Sequence, residues 1–306
     1  MRFALFLLAA ALPLQIGCDL EALAGGDRYQ DDFQYTYDFN PGGKVQLETF
    51  NGSVEVLSWE KSEIRITGAK YASHERDMRD IRIEIEHSAD SARIRAIRPE
   101  FRHGNMGARF FLRVPREVTL ERITTSNGPI RIEDIRGNGR LETSNGKVTI
   151  SRFDGELVAR SSNGSVECYT AGGKLQLRTS NGSIRVEDAN ASLDAETSNS
   201  GITIAGFQPA RGLPVRLATS NGPIDASFEQ LDASDVRIAT SNAGITLRLP
   251  AGVRARVSAS TSNGPVMTSF DISGSVGKNS IEGSINGGGP LIHATSSNGP
   301  VRIEKM

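Results

Sequence analysis

Ten copies of one short polar phrase constrain this chain more than any other feature. Thr-Ser-Asn-Gly or a near copy surrounds Asn127, Asn145, Asn163, Asn181, Asn199, Asn221, Asn242, Asn263 and Asn298, and Thr-Phe-Asn-Gly surrounds Asn51. From Asn127 to Asn199 the interval is 18 residues, four times running. It then becomes 22, 21, 21 and 35. One turn motif per period near 20 residues is the pattern of a chain whose repeats stack on their neighbours.

Aligning the copies on their Asn gives three apolar columns. Four places before it stand residues such as Leu47, Ile123, Leu141 and Leu177. Three places after it come Val54, Ile130, Val148 and Ile184, and five places after it Val56, Ile132, Ile150 and Cys168. This is period-2 strand patterning on both sides of a turn, with β-branched residues in the buried places. The expected fold is all-β: a β-solenoid, β-helix-like and right-handed, with coils of about 18–22 residues. The alternative use of Asn-Gly, a two-residue hairpin joining neighbours, would give up-and-down antiparallel sheets.

The phrase itself has a mechanical reading. Gly, and next Asn, tolerate the positive φ that a sharp corner needs. The Thr two places before each Asn shares parity with the buried column, so Thr and Asn are expected to face the corner of the core. Asn side chains at Asn51, Asn127, Asn145, Asn163, Asn181, Asn199, Asn221, Asn242, Asn263 and Asn298 would form a turn ladder, each bonding the Asn one coil away. Ser200 and Ala243 replace the Gly, which suggests a corner widened or shifted by one residue.

The chain has 306 residues and a formal net charge of -1, which removes the simplest case for nucleic-acid binding. Residues 1–17 carry one Arg, an apolar run from Phe3 to Leu14 and then Gln15-Ile16-Gly17, a secretory signal too short to span a membrane comfortably. Ahead of Cys18 the residues resemble a bacterial lipobox, with Gln15 departing from the usual aliphatic residue. The resemblance implies cleavage before Cys18 and lipidation of that residue, hence a membrane partner. A Cys18–Cys168 disulfide is possible on paper, but lipidation accounts better for Cys18. Residues 18–32 read as a polar lipidated tether, 33–120 as an N-terminal β region and cap of antiparallel-type strands, and 121–306 as the repeats. Within the cap, 72–80 suggests a helical turn and 99–108 a loop. The last coil, ending Ile303-Glu304-Lys305-Met306, shows no cap and is expected to allow weak self-association, limited by Lys305.

The outward columns carry mixed charge. Glu142 beside Arg160, and Arg178 beside Glu196, are expected cross-coil pairs of roughly 0.2–1 kcal/mol each. His74, His87, His103 and His293 have no metal-pair spacing, and no cofactor or catalytic motif is present. Glu133, Asp134 and Asp154 are the carboxylates that a polysaccharide-cleaving β-helix would need clustered. Cys168, in an inward column, reads as a buried apolar residue.

The pattern resembles the DUF4097 family of bacterial envelope proteins, loosely labelled adhesins. The residues that carry the resemblance are Gly43 to Thr49, Asn51-Gly52-Ser53-Val54-Glu55-Val56, Trp59, Phe111-Leu112-Arg113-Val114-Pro115 and the Thr-Ser-Asn-Gly run. It covers roughly 33–306 and implies a β-solenoid-like fold in the cell envelope, with no catalytic residue to carry over. The expected function is a non-enzymatic, lipid-anchored adhesin-like or scaffold module with a protein or glycan partner. The alternatives are a periplasmic partner in envelope-stress signalling and a polysaccharide-active enzyme.

Overall fold

The structure, a computed structural model, describes residues 29–100, 104–231 and 233–306. It is all-β, with 65% of residues in strands and 2% in helix. Each Asn turn separates two strands, and each strand pairs in parallel with its equivalent one repeat away. Val148–Ser161 shows the pattern: Val148 lies opposite both Ile130 and Val166, and Ala159 opposite Leu177. The hairpin alternative requires antiparallel neighbours, whereas the repeat strands run parallel.

The three apolar columns fill the interior. Leu141, Ala159, Leu177, Val148, Val166, Ile150 and Cys168 are all fully buried. Only at the far end does a column weaken, where Thr268 is half-buried. Parallel strands need their faces covered, and here the inward residues of the two strand sets cover each other.

Two corner devices recur. At the Asn corner the Thr or Ser two places earlier is buried in every copy, from Thr49 to Ser296. Thr143 donates its hydroxyl to the Gly128 carbonyl of the preceding layer (3.0 Å) and accepts from the Gly146 N–H of its own turn (3.2 Å). Ser161 repeats this with Gly146 and Gly164, both at 2.9 Å. The other corner lies seven residues after the Asn, where Asp134, Arg152, Thr170, Asp188 and Gly206 all have φ between 51° and 59°.

The Gly of the phrase is required for a different reason than φ. Gly52 alone among these glycines is in the left-handed region, at φ 123°. A Cβ on Gly146 would lie 1.7 Å from the Gly128 carbonyl oxygen, and one on Gly164 1.9 Å from that of Gly146. Close backbone stacking, rather than corner geometry, excludes a side chain. Nor do Ser200 and Ala243 shift the corner: Ile202 stays opposite Ile184, and Ile245 opposite Ile224. The longer repeats place their extra residues at the second corner, after Phe207 and Phe228, whose rings meet edge to face at 5.9 Å.

The order of layers in space departs from the order in sequence at both ends. Lys44–Asn51 and Val54–Trp59 form the Asn51 layer, parallel to the Asn127 layer on one side. On the other side they pair, also in parallel, with Ser91–Ile97 and Met106–Pro115. Antiparallel strands then cover this end: Arg82–Ser88 on Ser91–Ile97, Glu63–Ala72 on Met106–Pro115, and Tyr29–Asp38 outermost. The region expected to be antiparallel therefore contains parallel layers, because Asn51 heads the stack. The expected helical turn is the helix Glu75–Asp80. The expected loop is shorter than 99–108, since Met106 and Ala108 are buried strand residues. The expected tether also ends early. Tyr29–Asp32 is strand, held by backbone pairing to Ala69–Ala72 with its side chains exposed, so apolar patterning gives no sign of it.

At the other end, Leu291–Ser296 and Val301–Lys305 are not the last layer. Leu291–Ser296 lies between Val236–Thr240 and Ala255–Thr261. Val301–Lys305 lies between Ile245–Leu249 and Val266–Thr268. The expected open edge is thus paired on both sides as far as Ile303, and Glu304 and Lys305 are paired to Arg248 and Leu249. The Asn263 layer is terminal, and the antiparallel strands Ser280–Ile285 and Ser273–Val276 cover its first strand.

Candidate interaction surface

The ten asparagines form one continuous side-chain ladder along an edge of the stack. Asn127 Nδ2 donates to Asn51 Oδ1, Asn145 to Asn127 and Asn163 to Asn145, each at 2.6 Å. Asn181, Asn199, Asn221 and Asn242 continue it at 2.7–2.9 Å. Asn298 then donates to Asn242, and Asn263 to Asn298, both at 2.8 Å. At the first end Asn51 donates to the Met106 carbonyl at 2.8 Å.

This ladder faces solvent. Asn51 is half-buried and the other nine are exposed, so the corner of the core holds the Thr hydroxyls and not the amides. The residue before each Asn from Ser126 to Ser297 is an exposed serine. Each Asn commits one of its two N–H donors, and every Asn along the ladder short of Asn263 one acceptor site, to its neighbours.

Two outward faces remain. On the face after the turn, charges are locally paired. Glu133 accepts from Arg131 at 2.6 Å and also from Arg152. These hydrogen bonds hold its carboxyl below the usual carboxylate range. Burial acts to raise Glu167, but bonds from Lys147 and Tyr169 outweigh it and lower it on balance. The bond to Glu167 is the main reason that the Tyr169 phenol is pushed up to about 12.

The face before the turn differs. Arg122, Arg140, Arg160, Arg178, Arg216 and Arg237 project from it, one per layer with one gap. The gap is the Asn199 layer, which presents Asp194 and Glu196, bonded to Arg178 (2.9 and 3.2 Å) and Arg216 (3.1 and 3.3 Å). The expected Arg178–Glu196 pair is present. The expected Glu142–Arg160 pair is not: the two are register neighbours, but Glu142 binds Arg140, two residues away on its own strand, at 2.7 Å. Between this face and the serine column lies a polar groove of about 490 Å³, lined by Glu142, Arg160, Arg178, Glu196, Ser162 and Ser180 among others. A more apolar groove of about 690 Å³ sits between the second-corner loops, lined by Leu231, Pro250, Val253 and Pro290.

The candidate chemical groups are dispersed. Burial pushes the Cys168 thiol up to about 12, far from a reactive thiolate. Asp134 is bonded to Ser58 (2.9 Å) and Arg116 (3.1 Å), and Asp154 lies 3.5 Å from Arg136. His87 stacks on Tyr37 with ring centres 3.7 Å apart. Among the described residues no group of three or more His, Cys, Asp or Glu is placed to hold a metal ion, and no helix is long and apolar enough to cross a membrane. Cys18 and His103 lie outside the described residues.

No family model matches the chain, and no curated protein matches it in sequence. The resemblance to the DUF4097 family therefore rests on the sequence motifs alone. Among solved structures, similarity is found to a "putative cell adhesion protein" from Clostridium sporogenes, 11% identical over 90% of this chain and 100% of that one, with a TM-score of 0.21. A "putative adhesin" from Bacteroides fragilis is 11% identical over 90% and 97%, with a TM-score of 0.33. A "putative lipid binding protein" from Parabacteroides distasonis is 12% identical over 90% and 97%, with a TM-score of 0.35. At these scores the likenesses carry no argument for this chain.

Proposed function

We propose that this chain is a DUF4097-like β-solenoid that serves as a non-enzymatic interaction module of the bacterial cell envelope, tethered to a membrane through lipid on Cys18. The observation that carries the reading is where the repeated residues are used. The Thr hydroxyls, Asn amides and Gly backbones of the phrase are engaged between layers. What varies from layer to layer is the outward side chains, as in repeat proteins that present an extended binding surface on a stacked frame. The dispersed carboxylates and the buried thiol fit a binding role better than a catalytic one.

Fractionation of cells expressing the full chain tests the anchor. The wild type is expected in the membrane fraction and Cys18→Ser in the soluble fraction; a membrane-bound Cys18→Ser variant overturns lipid anchoring. Protease added to intact cells then separates two settings. Digestion places the module on the outer surface as an adhesin, and full protection places it in the periplasm, as an envelope-stress partner would be.

A further inference from the structure

Among the described residues, four strands keep one edge without a neighbouring strand. Tyr29–Asp38 and Arg82–Ser88 do so at the Met106 end, and Val266–Thr268 and Ser273–Val276 at the other. Charged side chains guard the first two: Asp31, Asp32 and Asp38 on one, Arg82, Glu84 and Glu86 on the other. Such charges are a common protection of a free edge. Val266–Thr268 is met at its start by the Lys278 carbonyl, which accepts from the Val266 N–H at 2.9 Å. Ser273–Val276 has neither charge nor cover. All of its residues are exposed, and Val276, at 59%, is the most exposed large apolar side chain among the described residues.

The hairpin that ends this strand decides what its edge offers. The Gly277 N–H donates to the Ser280 carbonyl at 2.8 Å, and bonded pairs alternate along an antiparallel ladder. Ser273 and Ser275 therefore turn their backbone groups to Ser280–Ile285, and Ile272, Gly274 and Val276 turn theirs outward. Val276 lies opposite the buried Ile281, so the side chains of Ile272 and Val276 are on the core side of the sheet, past the last layer. Ile272 is half-buried there against Gly283. The serine hydroxyls stand on the opposite side.

We propose that this edge pairs with the same edge of a second copy, antiparallel across a two-fold axis at Gly274. In that register the outward backbone groups of the two copies meet, and Ile272 of each copy covers Val276 of the other on the core side. Ser273 stands opposite Ser275 of the second copy on the far side. Asp271 and Lys278 have no ion-pair partner among the described residues. The register carries each Asp271 to the turn that holds the other copy's Lys278, so opposite charges meet twice. Glu282, on the next strand, lies three strand spacings from its equivalent, and like charges are not brought together. The paired edge is short, so the contact falls below the roughly 1,200 Å² of a stable interface, and the dimer is weak and concentration-dependent. A two-fold contact closes on itself, so assembly stops at two copies. It joins covering strands that lie beyond the layer where the asparagine ladder ends, and the ladder takes no part. The contact is independent of the outward faces on which the interaction-module reading rests.

The test sediments the full chain carrying Cys18→Ser at rising concentration, and a reversible monomer–dimer equilibrium is expected. Val276→Lys should abolish the dimer without changing the circular dichroism, because the side chain is exposed. Leu213→Lys, at a 45% exposed apolar residue of the second corner, should dimerise like the wild type. Cross-linking reads the register. The Cα atoms of a non-bonded antiparallel pair lie about 4.5 Å apart, within reach of a disulfide. Ser273→Cys mixed with Ser275→Cys should therefore cross-link under a mild oxidant. Either variant alone, with its thiols two residues out of register, should cross-link far less. Cys168 is buried and stays out of the reaction. A monomer at every concentration, growth beyond the dimer, an unaffected dimer in Val276→Lys, equal loss in Leu213→Lys, or equal cross-linking of single and mixed samples each overturns the proposal. The fractionation experiment on Cys18 reads a different property, so the envelope-module reading stands or falls separately.

Discussion

Asn298 donates its side-chain amide to Asn242, 56 residues earlier in the chain, and accepts from Asn263, 35 residues earlier. The C-terminal segment thus fills a slot between two layers that precede it in sequence. Ile292, Val301 and Ile303 are fully buried there, and burying each such side chain contributes about 1.5–3 kcal/mol. Deleting residues 291–306 is expected to cost about 5 kcal/mol or more and to strip the partner from one edge of each of four strands. Thermal denaturation and sedimentation of the truncated chain check this; an unchanged midpoint and a clean monomer would mean the segment is dispensable.

Gly146→Ala is expected to destabilise by about 3 kcal/mol, at the upper end for an overpacked site. The added carbon would meet the carbonyl oxygen of Gly128, which belongs to the backbone of the adjoining layer. Gly252→Ala serves as the control, since nothing lies within 4 Å of its added carbon. Urea unfolding of both variants reads the difference, and similar midpoints would refute the stacking argument.

Thr170 sits at φ 54° with an exposed side chain, an unfavourable conformation for a β-branched residue. Thr170→Asn keeps a polar side chain and lowers that strain, and is expected to stabilise by about 1 kcal/mol. The measurement is the shift of the denaturant midpoint at constant slope.

Glu133 has a folded pKa below its ordinary value, through hydrogen bonds from Arg131 and Arg152. Its contribution to stability is therefore present above the unfolded pKa of about 4.3 and is lost as pH falls through the folded value. The stability gap between the wild type and Glu133→Gln is expected to narrow below about pH 4. Glu133 is half-buried but both arginine partners are exposed to solvent, so the gap itself is small. Unfolding curves at several pH values provide the check, and a gap that grows on acidification would contradict the assignment.

Cys168 is fully buried and its thiol is pushed up to about 12. Native protein is expected to resist a thiol reagent at neutral pH, with labelling that follows unfolding as denaturant rises. Rapid native labelling at Cys168 would show that the layers open locally.

The parts of the fold that one strand and its turn dictate were legible in the sequence. Ile130, Val148, Val166 and Ile184 are buried because their two-residue alternation leaves them no other face, and the inward Thr followed from the same parity. What depends on the neighbouring layer was not legible. The Gly of each phrase suggested a φ requirement, but the constraint is a carbonyl one layer away. The 35-residue interval before Asn298 gives distance along the chain and not order in space, so the last segment looked like an open end. Glu142 and Arg160 were placed correctly side by side, yet Arg140 on the same strand reaches the carboxylate first. The Arg216 bridge to Asp194 and Glu196 escaped because it joins two columns, three and five places before the Asn.

The asparagine ladder also gives the stack a direction. Its nine amide-to-amide bonds all donate toward the Met106 end. One terminus is a donor already satisfied by a carbonyl, and the other, at Asn263, is an acceptor with no amide beyond it. Two copies meeting with equivalent ends would set donor against donor or acceptor against acceptor. Only a head-to-tail contact preserves the sequence of bonds, and such a contact does not close on itself by two-fold symmetry. The strands that cover both termini therefore do more than shield backbone edges: they end a vectorial array that would otherwise have no intrinsic length.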